Sequence, residues 1–158
     1  MIRHARSSDI SRIAEIIVFG KRVAYRSIFR NDIGSFHDLQ VLDLIESYQA
    51  SPDIFDHMLV YDDGIIKGVI NQKDAADGRE LCEFYVEPFF KGKGIGRELI
   101  QFFIEEAKKQ EKRKLYLWVI KDNLPARRFY EKNGFHASGE ERLIEGTDVL
   151  DMRYEREL

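Results

Sequence analysis

The chain has a single cysteine, four scattered histidines and no surplus of basic charge, and each shortage removes a class of function. Cys82 stands alone among apolar strand residues, so no internal disulfide can form, and this suits a reducing compartment, the cytoplasm. That apolar setting also argues against a nucleophilic thiol. With 25 Lys and Arg against 28 Asp and Glu the net charge is −3, which lacks the basic excess that holds a nucleic-acid backbone. No apolar run approaches the ~18 residues of a membrane span, and Met1-Ile2-Arg3-His4 leads into no signal-peptide core. His4, His37, His57 and His136 show no ligand spacing, so no metal is expected. Repeats, low-complexity tracts and linkers are absent. At 158 residues the chain reads as one domain, 1–158, able to bury roughly 70% of its unfolded surface. The single shift in composition, Gln72 to Gly78, reads as a polar loop between two strands.

What is present is a glycine loop between a strand and a helix. Leu81-Cys82-Glu83-Phe84-Tyr85-Val86 alternates as a strand, and Pro88 stops further ladder donation at its own position. Lys91-Gly92-Lys93-Gly94-Ile95-Gly96 follows. Ile95, Leu99, Phe102, Phe103 and Ala107 then recur at helical spacing. Three glycines let the backbone approach a ligand and aim several N–H groups at it. The helix N-terminus and the two lysines add positive charge, so the segment suits a phosphate or pyrophosphate. A dinucleotide fingerprint fails here because Leu99 occupies its third glycine position, and the basic run Lys112-Arg113-Lys114 lies where an acidic ribose partner is expected. A P-loop fails because Gly94, not Ser or Thr, follows Gly92-Lys93.

A second segment lies further on. Lys114 to Ile120 reads as a buried strand, and Asn123 then caps a helix whose first turn tolerates Pro125 and which Gly134 ends in a left-handed conformation. Together the two segments resemble the GNAT superfamily of N-acetyltransferases. The first is similar to its Gln/Arg-x-x-Gly-x-Gly/Ala loop, with Lys91 where Gln or Arg is usual. The second is similar to Asn-x-x-Ala-x-x-x-Tyr followed by Gly-Phe, through Asn123, Ala126, Tyr130, Gly134 and Phe135.

The remaining segments fit that superfamily's order of elements. Ile2 to Arg6 alternates as a strand. Ser8 or Asp9 caps a helix carrying Ile10, Ile13, Ile16 and Ile17 that reaches toward Phe29, and Leu39, Leu42, Leu44 and Ile45 mark a second helix stopped by Ser51-Pro52. His57–Tyr61 and Ile65–Ile70 flank the turn Asp62-Asp63-Gly64 as a hairpin. Two late strands are expected over Glu141–Ile144 and Val149–Tyr154. The fold class is therefore α/β: a mixed, mostly antiparallel central sheet flanked by helices, the acyl-CoA N-acyltransferase fold. Its order is strand, two helices, three strands, helix, strand, helix, two strands.

The resemblance implies that acetyl-CoA is the co-substrate and a primary amine, on a small molecule or a protein, the acceptor. Transfer would be direct, in a ternary complex, with no metal and no nucleic-acid or membrane partner, and a homodimer stays open. It implies cofactor contacts from Phe84, Val86, Lys91, Gly92, Lys93, Gly94, Ile95, Gly96, Arg97, Asn123, Ala126 and Tyr130. A lysine-like amine has a pKa near ~10.4, so holding it neutral at pH 7 costs roughly 4–5 kcal/mol. A general base or desolvation must supply that. Relatives use a glutamate on the strand before the loop, which here is Glu83; a solvated or salt-bridged Glu83 is the other reading. Tyr130 is implied as the acid for the leaving thiolate, with a core aromatic as its alternative. Amides near Val86 would polarise the thioester carbonyl. A module that keeps the CoA cradle as a sensor or scaffold, without turnover, is the rival function. Residues 21–51, where such enzymes build the acceptor wall, carry no decodable motif.

Overall fold

A computed structural model of the chain describes residues 1–76 and 78–158. Its elements are strand β1 (Ile2–His4), helices α1 (Ile10–Phe29) and α2 (Val41–Ala50), strands β2 (Met58–Asp62), β3 (Ile66–Ala75) and β4 (Gly78–Val86), helix α3 (Ile95–Lys109), strand β5 (Lys114–Ile120), helix α4 (Leu124–Lys132) and strands β6 (His136–Leu143) and β7 (Leu150–Glu157). The seven strands hydrogen-bond in the order β1-β2-β3-β4-β5-β7-β6. Pairs β1–β2, β2–β3, β5–β7 and β6–β7 are antiparallel, and β4–β5 is parallel. This is the mixed, mostly antiparallel sheet that the sequence predicts.

The chain divides into two compact units. One comprises Met1–Asn71 and Glu83–Leu99, the other Gln72–Cys82 and Ile100–Leu158. In the first, Ile13, Ile16 and Ile17 place three branched side chains on one face of α1, where they join a buried cluster with Met58, Val60, Val69, Tyr48 and Phe55. One turn later Gly20 lets the helix approach β4: an added Cβ would lie 2.6 Å from Tyr85 Cδ1. Gly68 on β3 serves the start of α3 similarly, because a Cβ there would lie 2.7 Å from Leu99 Cδ1. In the second unit Phe103, Ile104 and Ala107 are buried on α3, as are Leu115 and Leu117 on β5. Gly78 opens β4 at φ +150°, and a Cβ there would overlap the carbonyl of Lys114.

Several expectations shift. The polar loop expected over Gln72–Gly78 is mostly strand: Gln72 to Ala75 belong to β3 and Gly78 to β4, while Asp77 lies outside the described residues. Buried Arg79 makes that possible by donating to Asp74 (2.9 Å), so polar side chains there satisfy one another. Asp9 does occupy the cap position of α1, but its carboxylate accepts from Arg6 N (2.8 Å) and the Arg3 guanidinium instead. Leu39 precedes α2; it is extended and closes a π-turn over Gly34–Asp38. On α3, Phe102 is exposed and Ile100 joins Leu99 and Phe103 on the buried stripe. Strand β6 begins at His136, earlier than expected, because its eight residues are all exposed and show no apolar alternation. Backbone pairing with β7, from His136↔Glu155 to Leu143↔Leu150, holds it there. Cys82 is exposed, which corrects the apolar setting expected for it.

Candidate active site

The strand-to-helix loop lies in the first unit. Glu87 N donates to Lys67 O (2.9 Å), Pro88–Phe90 make one tight turn, and Gly92 (φ +79°) and Gly94 (φ +85°) then reverse the backbone. Both glycines are exposed, and an added Cβ would meet nothing within 4 Å, so the left-handed backbone alone selects glycine there. Glu98 N donates to Gly94 O (3.0 Å), which makes this the first bond of α3. The amides of Ile95, Gly96 and Arg97 therefore precede any intrahelical acceptor. Ile95 is buried and anchors the turn, while Lys91, Lys93 and Arg97 are exposed around it. Lys93 Nζ lies 5.2 Å from the Phe90 ring centre. An exposed nest of N–H groups with three cations beside it fits a pyrophosphate.

Glu83 sits on β4, with half-buried Phe84 and Val86 beyond it. Its Oε1 is 3.0 Å from Lys21 Nζ on α1, and its Oε2 accepts from the Tyr48 hydroxyl on α2 (3.2 Å). Burial, and secondarily the Glu83 charge, push the Tyr48 phenol well above its ordinary range, so Tyr48 stays a donor. Two residues along, Tyr85 and Tyr25 share a hydrogen bond between hydroxyls (3.0 Å). Glu83 is thus held between an ammonium and a phenol. A carboxylate has about four acceptor sites, so this pairing leaves room for a water or an amine. Sequence reasoning missed Lys21 and Tyr48: both lie in the stretch without a motif, and no local spacing links either to Glu83.

The second unit carries the other motif. Asn123 Oδ1 accepts from Ala126 N (3.3 Å) and caps α4, with Pro125 in the first turn. At the other end Phe135 N donates to Tyr130 O (3.1 Å) and Gly134 N to Glu131 O (3.1 Å), a Schellman closure around Gly134 at φ +83°. The half-buried Tyr130 ring packs edge-on to Phe129 (5.5 Å) and Phe135 (6.0 Å). The ladder between β4 and β5 runs from Arg79↔Leu115 to Leu81↔Leu117, while β4 itself continues to Val86. Among the described residues no group of His, Cys, Asp and Glu could hold a metal ion, and no helix is long and apolar enough to cross a membrane.

A family model, the acetyltransferase (GNAT) domain, matches residues 38–156. The chain belongs to the GNAT acetyltransferase family. A putative [ribosomal protein bS18]-alanine N-acetyltransferase of Bacillus subtilis is 25% identical over 154 residues, 96% of this chain and 92% of that protein. A spermine/spermidine N(1)-acetyltransferase of the same species is 30% identical over 70 residues, 43% of this chain and 46% of that protein. The chain spans only 28%, 35% and 46% of three other curated relatives that it matches. Among solved structures, a PaiA N-acetyltransferase from Thermoplasma acidophilum in complex with coenzyme A superposes with TM-score 0.77 at 20% identity, covering 100% of this chain and 98% of that one. The acyltransferase fold and its GNAT membership are thereby fixed for this chain.

Proposed function

We propose that the chain is a single transferase domain that moves the acetyl group of acetyl-CoA directly to a primary amine, working in the cytoplasm, where exposed Cys82 stays reduced. One observation carries the reading: the exposed turn at Gly92 and Gly94 presents the first-turn amides of α3 immediately after β4. In this reading acetyl-CoA supplies an activated thioester. Lys91, Gly92, Lys93, Gly94, Ile95, Gly96 and Arg97 hold its pyrophosphate, and Phe84, Val86, Asn123 and Ala126 contribute further contacts. Amides of β4 beyond Leu81, where its ladder with β5 ends, donate to the carbonyl oxygen as negative charge develops there. Glu83, held in place by Lys21 and Tyr48, takes the amine proton, directly or through a water. Tyr130 returns a proton to the leaving thiolate; a phenol of pKa ~10 suits a thiol leaving group.

Two names among the relatives, one for a polyamine acceptor and one for a ribosomal-protein alanine, support an amine acceptor and leave its size open. Thiol release from acetyl-CoA across a panel of di- and polyamines, monoamines and peptides tests the proposal. Turnover with at least one amine is expected. Tight acetyl-CoA binding with no thiol released by any amine would instead favour the sensor or scaffold reading.

A further inference from the structure

Helix α1 borders a cavity of about 860 Å³ within the first unit, walled by Phe19, Val23 and Phe36 and by the arginines Arg22, Arg26 and Arg30. Among the described residues that line it, Asp32 is the one carboxylate. At about 3.6 residues per turn, Phe19, Val23, Arg26 and Arg30 centre roughly 150° around the helix from Lys21 and Tyr25, which meet Glu83 and Tyr85. The cavity is therefore separate from the Glu83 side of α1.

Its charge has one sign. Arg22 donates to two neutral acceptors, the carbonyls of Ser35 (2.8 Å) and Leu39 (2.9 Å), so its charge stays uncompensated. Arg26 spends two donors on Asp32 (2.8 and 3.2 Å). Among the described residues the Arg30 side chain has no hydrogen bond or ion pair. Three arginines against one aspartate leave the lining at +2. Asp38, the next carboxylate along the chain, is engaged with His37 (2.9 Å). The negative carbonyl end of α1 accounts for cations at Arg26 and Arg30, but not for the apolar wall beside them, where Val23 and Phe36 are each 49% exposed.

That wall is fixed in place. Phe36 sits on the π-turn Gly34–Asp38, a rare geometry that recurs at functional sites. Leu39 N closes the turn on Gly34 O (3.2 Å), Gln40 donates to Phe36 O (2.7 Å) and His37 O (3.0 Å), and Arg22 ties it to α1. The Arg22 and Arg26 guanidiniums lie 5.3 and 5.4 Å from the Phe36 ring centre, so ring and cations form one surface.

We infer that this cavity binds a small organic anion, a carboxylate or phosphate carried on an aromatic or branched aliphatic body. The head accepts from Arg30 and from the donors Arg26 has left, while the body lies along Phe19, Val23 and Phe36. The volume falls in the range that small ligands fill, and a concave wall suits them better than a flat lipid surface. The inference does not rest on acetyl transfer.

Titration calorimetry of the full chain with phenyl phosphate and with phenylacetate, without acetyl-CoA, tests it. Wild type should bind both, the phosphate more tightly because the lining carries +2, and should ignore benzyl alcohol. Inorganic phosphate, the head alone, should bind at least about tenfold more weakly than phenyl phosphate. Arg30→Gln removes a cation that makes no contact in the fold and should weaken binding about tenfold, as expected for a lost charge-assisted hydrogen bond. Asp32→Asn should tighten binding, because it releases the Arg26 fork to the ligand. Lys132→Gln, the same change of charge on α4, should alter nothing. No binding of either probe by wild type, or equal losses in Arg30→Gln and Lys132→Gln, overturns the site. Equal affinity for inorganic and phenyl phosphate overturns the ligand class. Arg30-dependent binding of an acidic peptide or of phosphatidylserine vesicles, with neither probe bound, overturns the choice of a small anion.

Discussion

Glu83→Gln tests the proposed base apart from its surroundings, because the amide keeps the shape of the side chain and removes only its charge. The folding cost should be small. The Lys21 contact joins side chains 18% and 30% exposed, a setting where an ion pair contributes about 0–1 kcal/mol. The Tyr48 hydroxyl keeps an acceptor if the amide oxygen turns toward it. The unfolding midpoint should therefore drop by no more than about 2–4 °C. Turnover should fall much further, by ~10²–10⁴ at pH 7, the usual value of general-base help. An acceptor of pKa ~10.4 is about 0.04% neutral at pH 7 and about 4% at pH 9, so the variant should regain about a hundredfold over that interval. Under the proposed base role, wild type should rise less. Tyr48 does not complicate the window, since its phenol titrates far above it. The assay is thiol release at saturating acetyl-CoA from pH 7 to 9.5. Parallel profiles for wild type and variant would refute the role, as would a midpoint loss well beyond 4 °C.

Gly94→Ala should lower acetyl-CoA affinity by shifting the turn, and should cost about 1–2 kcal/mol of stability, because its φ of +85° is strained for an L-residue although the space around it is open. Calorimetry showing undiminished affinity would remove the loop from the cofactor site. Tyr130→Phe keeps the edge-on packing with Phe129 and Phe135, so acetyl-CoA affinity should hold while turnover falls ~10²–10⁴. A thioester with a more acidic thiol should shrink that loss, and wild-type turnover with every acceptor would mark Tyr130 as a packing residue. The Arg3 guanidinium holds the Asp9 and Asp62 carboxyls below their ordinary range. Stability from these pairs is complete above the unfolded carboxyl pKa near ~3.9 and is lost as pH falls through the lower folded values. Asp9→Asn should therefore destabilise at pH 7 and make the acid unfolding limb shallower; an unchanged limb would refute the linkage.

The sequence made the glycine turns and the capped helix legible because their information is local. Gly92, Gly94 and Gly134 each mark a left-handed backbone, and Asn123 caps its helix through a neighbour three residues away. Such signals survive without tertiary context. Glu83 was visible as a charge on an apolar strand, but its partners were not, since Lys21 and Tyr48 reach it from helices brought close by packing at Gly20 and in the Ile13–Phe55 cluster. Strand β6 escaped because an exposed edge needs only backbone partners, and these leave no pattern in side chains.

The exposure of Cys82 bears on how this enzyme is to be measured. Assays that detect liberated CoA with a thiol-reactive dye will also titrate the protein, with at most one equivalent per chain, since the sequence holds one cysteine. That equivalent appears as a burst proportional to enzyme and independent of the amine, easily mistaken for a pre-steady-state acetyl transfer. Cys82→Ser would clear the baseline. Kept in place, the thiol becomes a unique attachment point beside Glu83 on the neighbouring strand position, where alternation turns it toward the opposite face. A fluorophore there could follow acceptor binding without filling the side on which Glu83, Lys21 and Tyr48 meet.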